Sequence, residues 1–511
     1  MAVLFVAGCA QVREPTGGDQ DKVGPKLVDA TPQNGSTEFK GDRIVLRFNE
    51  RVQVKNAREN LVVSPPLAKA PTLRVLGDKS AQIGLEAPLA ANTTYVFDYA
   101  KAIVDLTEGN QDSSGVFVIS TGPVIDQGRL RVHVSDARTG KVLEGFEVLL
   151  YPADSTAEVR QGNSAGFARS GKDGHATVGY LRDGAYRVFA LEDKNGNHRY
   201  DLPNERLGFA EQPALVRADT MSDEVELRVF TAMDSAQRLL DARWSGGALR
   251  FALSRPAGTL GTKRLSGEIL DLEQEWNIGR DTVRCWYAGE DSLASGPLLV
   301  LVDGEVLDTA QVEAKPAGPM AVAEVHYTGT TDVLLEFDRP VDVMDSTKIT
   351  AMRDSVEVPV RLLEQSARRF RLEHKEQPGS MKLTFLPGAL HDRQGRTNDT
   401  LKLDLRLAGL KEQGTLHVVL NPQGGYAGPY VLELLDPTGR TALTRAGPAL
   451  PAKVDLAGLP PKPYGTRLVI DANGNGRWDT GEIGQNRQPE RVLVHPAGAN
   501  VRAGWEVELV W

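Results

Sequence analysis

The sequence predicts an all-β protein, a string of tandem β-sandwich domains. Three observations predict it. Gly 51 and Pro 29 supply many turns. Apolar and polar residues alternate in short runs along the chain, as half-buried strands require. One such run recurs far along the chain, as "IVLRFNERV" (Ile44 to Val52) and "VLLEFDRPV" (Val333 to Val341). At 511 residues the chain exceeds what one core serves, so about three to five domains are expected. Hydrophobic residues at 41% and charged residues at 25% are ordinary for globular domains. A net charge of -9 and a pI near 5.6 argue against nucleic acid as a partner.

The chain opens "MAVLFVAGCAQ", where Met1 to Gly8 are apolar or small and Cys9 follows. Val6-Ala7-Gly8-Cys9 resembles the lipobox of bacterial lipoproteins. Within the leader and lipobox, residues 1–9, the resemblance implies that Met1 to Gly8 are removed and that Cys9 becomes the first residue and carries a diacylglycerol. A full secretory signal has a positive start and about 7–15 apolar residues. Here the positive residues are missing and the stretch is short, so a start further upstream is expected. The bland alternative is an apolar tail with a chance cysteine. Residues 10–23 are polar, carry Gly and Pro, and read as a flexible tether. No window reaches the roughly 20 apolar residues of a spanning helix. The expectation is a protein anchored to the outer membrane by lipid and not threaded through it. Ala10 stands where enteric lipoproteins retained at the inner membrane carry aspartate. The surface and the periplasmic face both stay open. Cys285, in "DTVRCWYAG", reads as a small buried residue on a strand, and no disulfide is expected.

Residues 24–122 carry "GPKLVDATPQNGST", the Phe48-Asn49-Glu50 strand end and "NTTYVFDYAKAIVDLTEGN". They resemble the bacterial Ig-like domain of S-layer proteins. The opening "PTGGDQDKVGPKLVDATPQNG" resembles that of a group of Gram-negative surface lipoproteins. Residues 126–221 resemble the prealbumin-like, carboxypeptidase-regulatory β-sandwich. The resemblance rests on Gly128, Asp136, Thr139, Gly140, Gly145, Asp173, Gly174, Leu181, Gly184 and Tyr186. Thr139-Gly140 and Asp173-Gly174 are expected to form hairpin turns with positive φ. Val132, Val134, Val148 and Leu150 are expected to alternate inward. Residues 222–319 read as a β-sandwich of uncertain type, with "AMDSAQRLLDAR" as a candidate short helix. Residues 320–408 read as a second Ig-like domain, and 409–511 as a second prealbumin-like one.

The strongest candidate for chemistry is "DANGNGRWDTGE", which fits the twelve-residue calcium-loop spacing in full. Asp471, Asn473, Asn475, Asp479 and Glu482 would supply oxygens, Arg477 a backbone carbonyl, and Gly476 the sharp turn. The flanks "TRLVI" and "RVLVHP" read as strands, so the loop is not an EF-hand. A calcium site and a metal-free hairpin loop both stay open. "DKNGNHRYDLPNE" is a poorer copy. There Asp193, Asn195, Asn197 and Asp201 keep the register, His198 replaces the glycine, and the acid comes one place late at Glu205. "GNSAG" (Gly162 to Gly166) matches the nucleophile-elbow pattern but lies between hairpin strands, without the helix an elbow needs. The histidines His133, His175, His198, His326, His374, His391, His417 and His495 are scattered, and no zinc motif links them. Trp286, Trp478 and Trp505 read as core or loop anchors. The function expected is a non-enzymatic binding, adhesion or scaffold module of the cell envelope. Its partners would be the membrane, through its lipid, and an unknown protein or polysaccharide. A carbohydrate-binding accessory protein and a hydrolase with dispersed residues are the alternatives.

Overall fold

The computed structural model describes residues 21–511 apart from 112–114, 157, 219–222, 234–235, 246, 271, 288–294, 316, 328–332, 375–378 and 421–424. Cys9 and residues 10–20 of the tether lie outside the described residues. The chain is 51% strand and 3% helix, so it is all-β as expected. Five buried apolar clusters follow one another along it, each between two β-layers, and we number the sandwiches first to fifth in chain order. By contacts the chain divides into two compact units, Met1–Ser135 with Val142–Val229, and Asp136–Lys141 with Phe230–Trp511. Among the described residues no helix is long and apolar enough to cross a membrane.

The recurring run occupies the same strand in the first and fourth sandwiches. In the first, Leu27–Thr31, Arg43–Phe48, Ser80–Gly84 and Thr72–Val75 form one sheet in that order. Val62–Ser64, Thr94–Asp98 and Val116–Ser120 form the other. The fourth repeats this plan. Val322–Tyr327, Val333–Phe337, Arg369–His374 and Val360–Ser366 face Val356–Val358, Ile349–Arg353, Gly379–Phe385 and Leu401–Leu407. Ile44, Leu46 and Phe48 are buried in the first core; Val333, Leu335 and Phe337 are buried in the fourth. The polar residue that ends the run has a structural task. Asn49 Oδ1 accepts from Lys26 N at 2.7 Å, and Asp338 Oδ1 accepts from Ala321 N at 3.2 Å. Each ties the run to the start of the neighbouring strand.

The second and fifth sandwiches share a different plan. In the second, Gly166–Arg169, Glu147–Pro152, Gly184–Leu191 and Arg206–Phe209 are consecutive neighbours. His175–Leu181, Gly128–Asp136 and Val225–Thr231 make the facing layer, joined to the first at Arg206–Phe209. The fifth matches them with Thr441–Gly447, Tyr430–Leu435, Pro463–Ile470 and Val492–Val494, and with Lys453–Leu459, Gly414–Val419 and Glu506–Val510. Both carry a tyrosine whose hydroxyl donates to a carbonyl four residues upstream: Tyr186 to Arg182 at 2.8 Å, Tyr464 to Pro460 at 3.0 Å. Val132, Val134, Val148 and Leu150 are fully buried. Gly140 and Gly174 take φ +67 and +78, as the turns require.

Two elements differ from expectation. The strand Val225–Thr231, placed by sequence in the middle segment, pairs beside Gly128–Asp136 and completes the second sandwich. Its alternation fits any sandwich, so pattern alone could not say which sheet it joins. The candidate helix is instead the strand Leu239–Ser245, paired with Ala248–Leu253. Cross-strand pairing there outweighs the helix propensity of "QRLLDAR". The third sandwich sets Leu239–Ser245, Ala248–Leu253, Thr282–Tyr287 and Leu272–Trp276 against Leu260–Arg264, Gly296–Val302 and Glu305–Val312. Cys285 is buried in it, and burial pushes its thiol pKa up to about 12.

Candidate metal centre: two Asp/Asn loops

The shared plan of the second and fifth sandwiches sends one central strand, Gly184–Leu191 or Pro463–Ile470, directly into an Asp/Asn loop. In the fifth sandwich Asp471, 1% exposed, anchors the loop. Its Oδ1 accepts from Asn475 N at 3.1 Å and its Oδ2 from Gly476 N at 2.8 Å. Gly474 and Gly476 take φ +71 and +77, which lets consecutive amides turn inward. The side chains then converge on one carboxylate. Asn473 Nδ2 and Asn475 Nδ2 donate to Asp479 Oδ2 at 2.5 and 2.7 Å. Arg477 Nε donates to Asp479 Oδ1 at 3.1 Å, and its guanidinium also donates to the Gly279 carbonyl. Asp471, Asn473, Asn475 and Asp479 are therefore brought together as the spacing predicts.

Glu482 is not. Its carboxylate lies 3.4 Å from Arg487 and 3.9 Å from Arg255. The acid that joins the loop is Glu490, which sequence reading passed over. Its Oε1 accepts from Ala472 N at 2.8 Å and its Oε2 from Asp479 N at 3.0 Å. Burial pushes its pKa above the usual carboxylate value; repulsion from Asp479 and Asp471 adds to this, against two lowering backbone hydrogen bonds. Trp478 Nε1 donates to the Glu490 carbonyl at 3.0 Å and so anchors the loop, whereas Trp505 is 63% exposed.

The loop of the second sandwich is built the same way. Asp193 Oδ1 accepts from Asn195 N and Gly196 N at 3.2 and 2.7 Å, and Oδ2 from His198 N at 2.8 Å. Asn195 Nδ2 and Asn197 Nδ2 donate to the two oxygens of Asp201 at 3.1 and 2.6 Å. His198 holds the left-handed position of Gly476, with φ +58. Glu205, fully buried, takes the place of Glu490: its oxygens accept from Lys194 N at 3.2 Å and from Asp201 N and Leu202 N at 3.0 Å.

His198 adds a contact that no motif announced. Its Nδ1 lies 2.8 Å from Glu147 Oε2 and 3.8 Å from Asp193 Oδ2, so the three residues form a His/Asp/Glu group. The hydrogen bond to Glu147 raises the imidazole pKa against the lowering effect of burial. Arg169 NH2 holds the other Glu147 oxygen at 3.1 Å. The second loop thus has a histidine, hydrogen-bonded to Glu147, where the fifth has Gly476.

Comparison with known proteins bears on the first sandwich. Residues 21–121 match the bacterial Ig-like domain family. This Ig-like domain is the segment whose strand order and core were described above. No curated protein matches the chain. Among solved structures, the Bacillus anthracis TIE protein is similar at 11% identity, over 97% of this chain and 76% of that one, with a TM-score of 0.15. BcpA, the major pilin subunit of Bacillus cereus, shares 10% identity over 76% of this chain and 99% of its own, with a TM-score of 0.14. The SGBP-B protein of a Bacteroides ovatus mixed-linkage glucan utilization locus, solved with a mixed-linkage heptasaccharide, shares 12% identity. It aligns over 72% of this chain and 93% of its own, with a TM-score of 0.20.

Proposed function

We propose that the chain is a non-enzymatic module of the bacterial cell envelope, anchored by lipid on Cys9 to the outer membrane, whose tandem sandwiches present a binding or scaffold surface. The observation that carries this reading is the doubled plan. One strand order followed by another occurs twice, in the first and second and again in the fourth and fifth sandwiches, each around its own core. Such repetition extends a surface and adds reach. The test is a Cys9→Ala chain expressed in the native host with radiolabelled palmitate. Loss of label and of membrane fractionation supports the anchor, and unchanged fractionation removes it. Protease treatment of intact cells then distinguishes the surface from the periplasmic face.

Within this reading the loop of residues 471–479 is a structural calcium site. Asp471, Asn473, Asn475 and Asp479 offer hard oxygens once the two amides turn over, and the Arg477 carbonyl completes a set of the kind calcium takes. Its affinity belongs with extracellular modules, at a Kd of about 10⁻⁴–10⁻³ M. Millimolar calcium should raise the melting temperature of the full chain, and Asp471→Ala should abolish the rise. An unshifted melting curve rules the site out. The second loop, with His198 and Arg169 beside it, should respond more weakly.

A further inference from the structure

The second and fifth sandwiches carry the same β-bulge. In the second, Gly128 pairs with Leu181 and Leu130 with Val178, so Gly179 and Tyr180 stand opposite Arg129 alone. In the fifth, Gly414 pairs with Leu459 and Leu416 with Leu456, so Ala457 and Gly458 stand opposite Thr415. The later bulge residue is left-handed in both, with φ +73 at Gly458 and +57 at Tyr180. Glycine takes that conformation freely, whereas a bulky L-residue takes it only under constraint. The second sandwich therefore keeps a tyrosine at a position where the same bulge elsewhere uses glycine. Bulges re-aim side chains beside sites, and an observed backbone outlier is a pointer to function.

Tyr180 lines a solvent-open cleft of about 550 Å³ between the Ig-like sandwich and the second one, inside the first unit. Two further left-handed residues line it, Asn92 at φ +49 and Asn163 at +62. Ser164, also in its wall, is 5% exposed, and its hydroxyl has no hydrogen-bond partner. A buried hydroxyl left unpaired is costly and is normally satisfied. Among the described residues the charged groups of the lining are Asp126 and Arg182, 3.8 Å apart, so the cleft is close to neutral. Pro65 and Pro66 add apolar surface to its lining.

We propose that this cleft binds a neutral oligosaccharide of about two to three sugar rings, within the size range of sites of 300–1,000 Å³. One sugar face packs on Tyr180, a sugar hydroxyl meets the Asn163 amide, and another meets the Ser164 hydroxyl once that side chain rotates into the cleft. The balanced charge excludes a strongly ionic ligand. The unpaired hydroxyl and the amide favour a polyhydroxylated ligand over a proline-rich peptide, which needs mainly aromatic ridges. The site shares no residue with the Asp/Asn loops and does not depend on the lipid anchor.

The test is calorimetric titration of the full chain with neutral oligosaccharides: β-1,3-, β-1,4- and α-1,4-linked glucose, mannose and xylose oligomers, with a polyproline peptide as a further arm. We expect one of the sugars to bind. Tyr180→Gly should weaken that binding at least about tenfold. It should leave the melting temperature unchanged or raise it by about 2–5 °C, because glycine relieves the backbone. Ser164→Ala should weaken binding about three- to tenfold. Failure of every sugar at millimolar concentration, full affinity in Tyr180→Gly, or binding of the peptide alone would each overturn the proposal. A lower melting temperature in Tyr180→Gly would remove the strain on which it rests.

Discussion

Asp105 is 2% exposed, yet it is an ionisable group. Its Oδ1 accepts from Thr107 N, Glu108 N and Gly109 N at 2.9, 2.6 and 3.0 Å, and its Oδ2 from Asn110 N at 2.6 Å. Burial pushes its pKa up, but the four amides outweigh this and hold it below the ordinary 3.8. In the fourth sandwich Asp392 likewise accepts backbone hydrogen bonds, from Gln394 N and Arg396 N at 2.9 Å. A carboxyl whose folded pKa is depressed stabilises the fold above its unfolded pKa, and that contribution fades as pH falls through the folded value. Acid should therefore weaken the Ig-like domain below about pH 4. Asp105→Ala should cost about 2–4 kcal/mol at neutral pH by orphaning the amides. Asp105→Asn should flatten the acid limb of the stability profile. Urea titrations between pH 2 and 7 measure both, and an unchanged acid limb in Asp105→Asn would refute the assignment.

At the scale of elements, the two Asp/Asn loops show what spacing can and cannot reveal. Asp471 to Asp479 and Asp193 to Asp201 were legible because a sharp turn needs its polar residues at fixed offsets. The closing acid was not. Glu205 follows Asp201 at once, whereas Glu490 follows Asp479 only after a turn through Ile483–Gln485. Chain distance differs, yet both acids accept from the residue after the first aspartate and from the last aspartate. Glu482 fits the twelfth position in sequence, but two arginines draw its carboxylate away. Tyr180 was also hidden, since a bulge is a property of two strands and only one is visible in any local pattern. Glu490→Ala should release both loop ends, at a cost of about 2–3 kcal/mol. Hydrogen exchange should quicken at the amides of Ala472 and Asp479, with Glu490→Gln in between because one carbonyl oxygen remains. Unchanged protection at those two amides would show that Glu490 does not hold the loop.

For the whole molecule, the alternation that announced sandwiches carried no record of how neighbouring cores join. Within each unit, buried polar groups contribute to the joints between neighbouring sandwiches. Between the first and second sandwiches, Phe167 N donates to Ser64 Oγ at 2.9 Å, and Thr94 Oγ1 donates to Asp126 Oδ2 at 2.8 Å. Between the third and fourth, Arg368 does most of the work. Its side chain is 3% exposed and lies 5.2 Å over the Trp286 ring. It donates to Glu275 of the third sandwich at 2.7 Å, to Glu336 of its own, and to the carbonyls of Phe337 and Asp338 at 2.8 and 3.3 Å. Arg393, half exposed, adds a pair with the partly buried Glu273 carboxylate at 3.3 Å across the same joint, with fewer bonds than Arg368 makes. Removing Arg368 takes one of two arginines from Glu336, which keeps Arg369 at 2.8 Å, and strips the hydrogen bonds to Glu275 and two carbonyls, at a cost of about 1–3 kcal/mol. Arg368→Ala should therefore lower the stability of both neighbouring cores together. In calorimetry the wild-type third and fourth sandwiches should melt as one transition, and the variant should split it, because each core retains its own two sheets. Arg393→Ala should leave the transition whole. A variant Arg368→Ala that still melts as a single step at the wild-type temperature would show that the joint is held by packing alone.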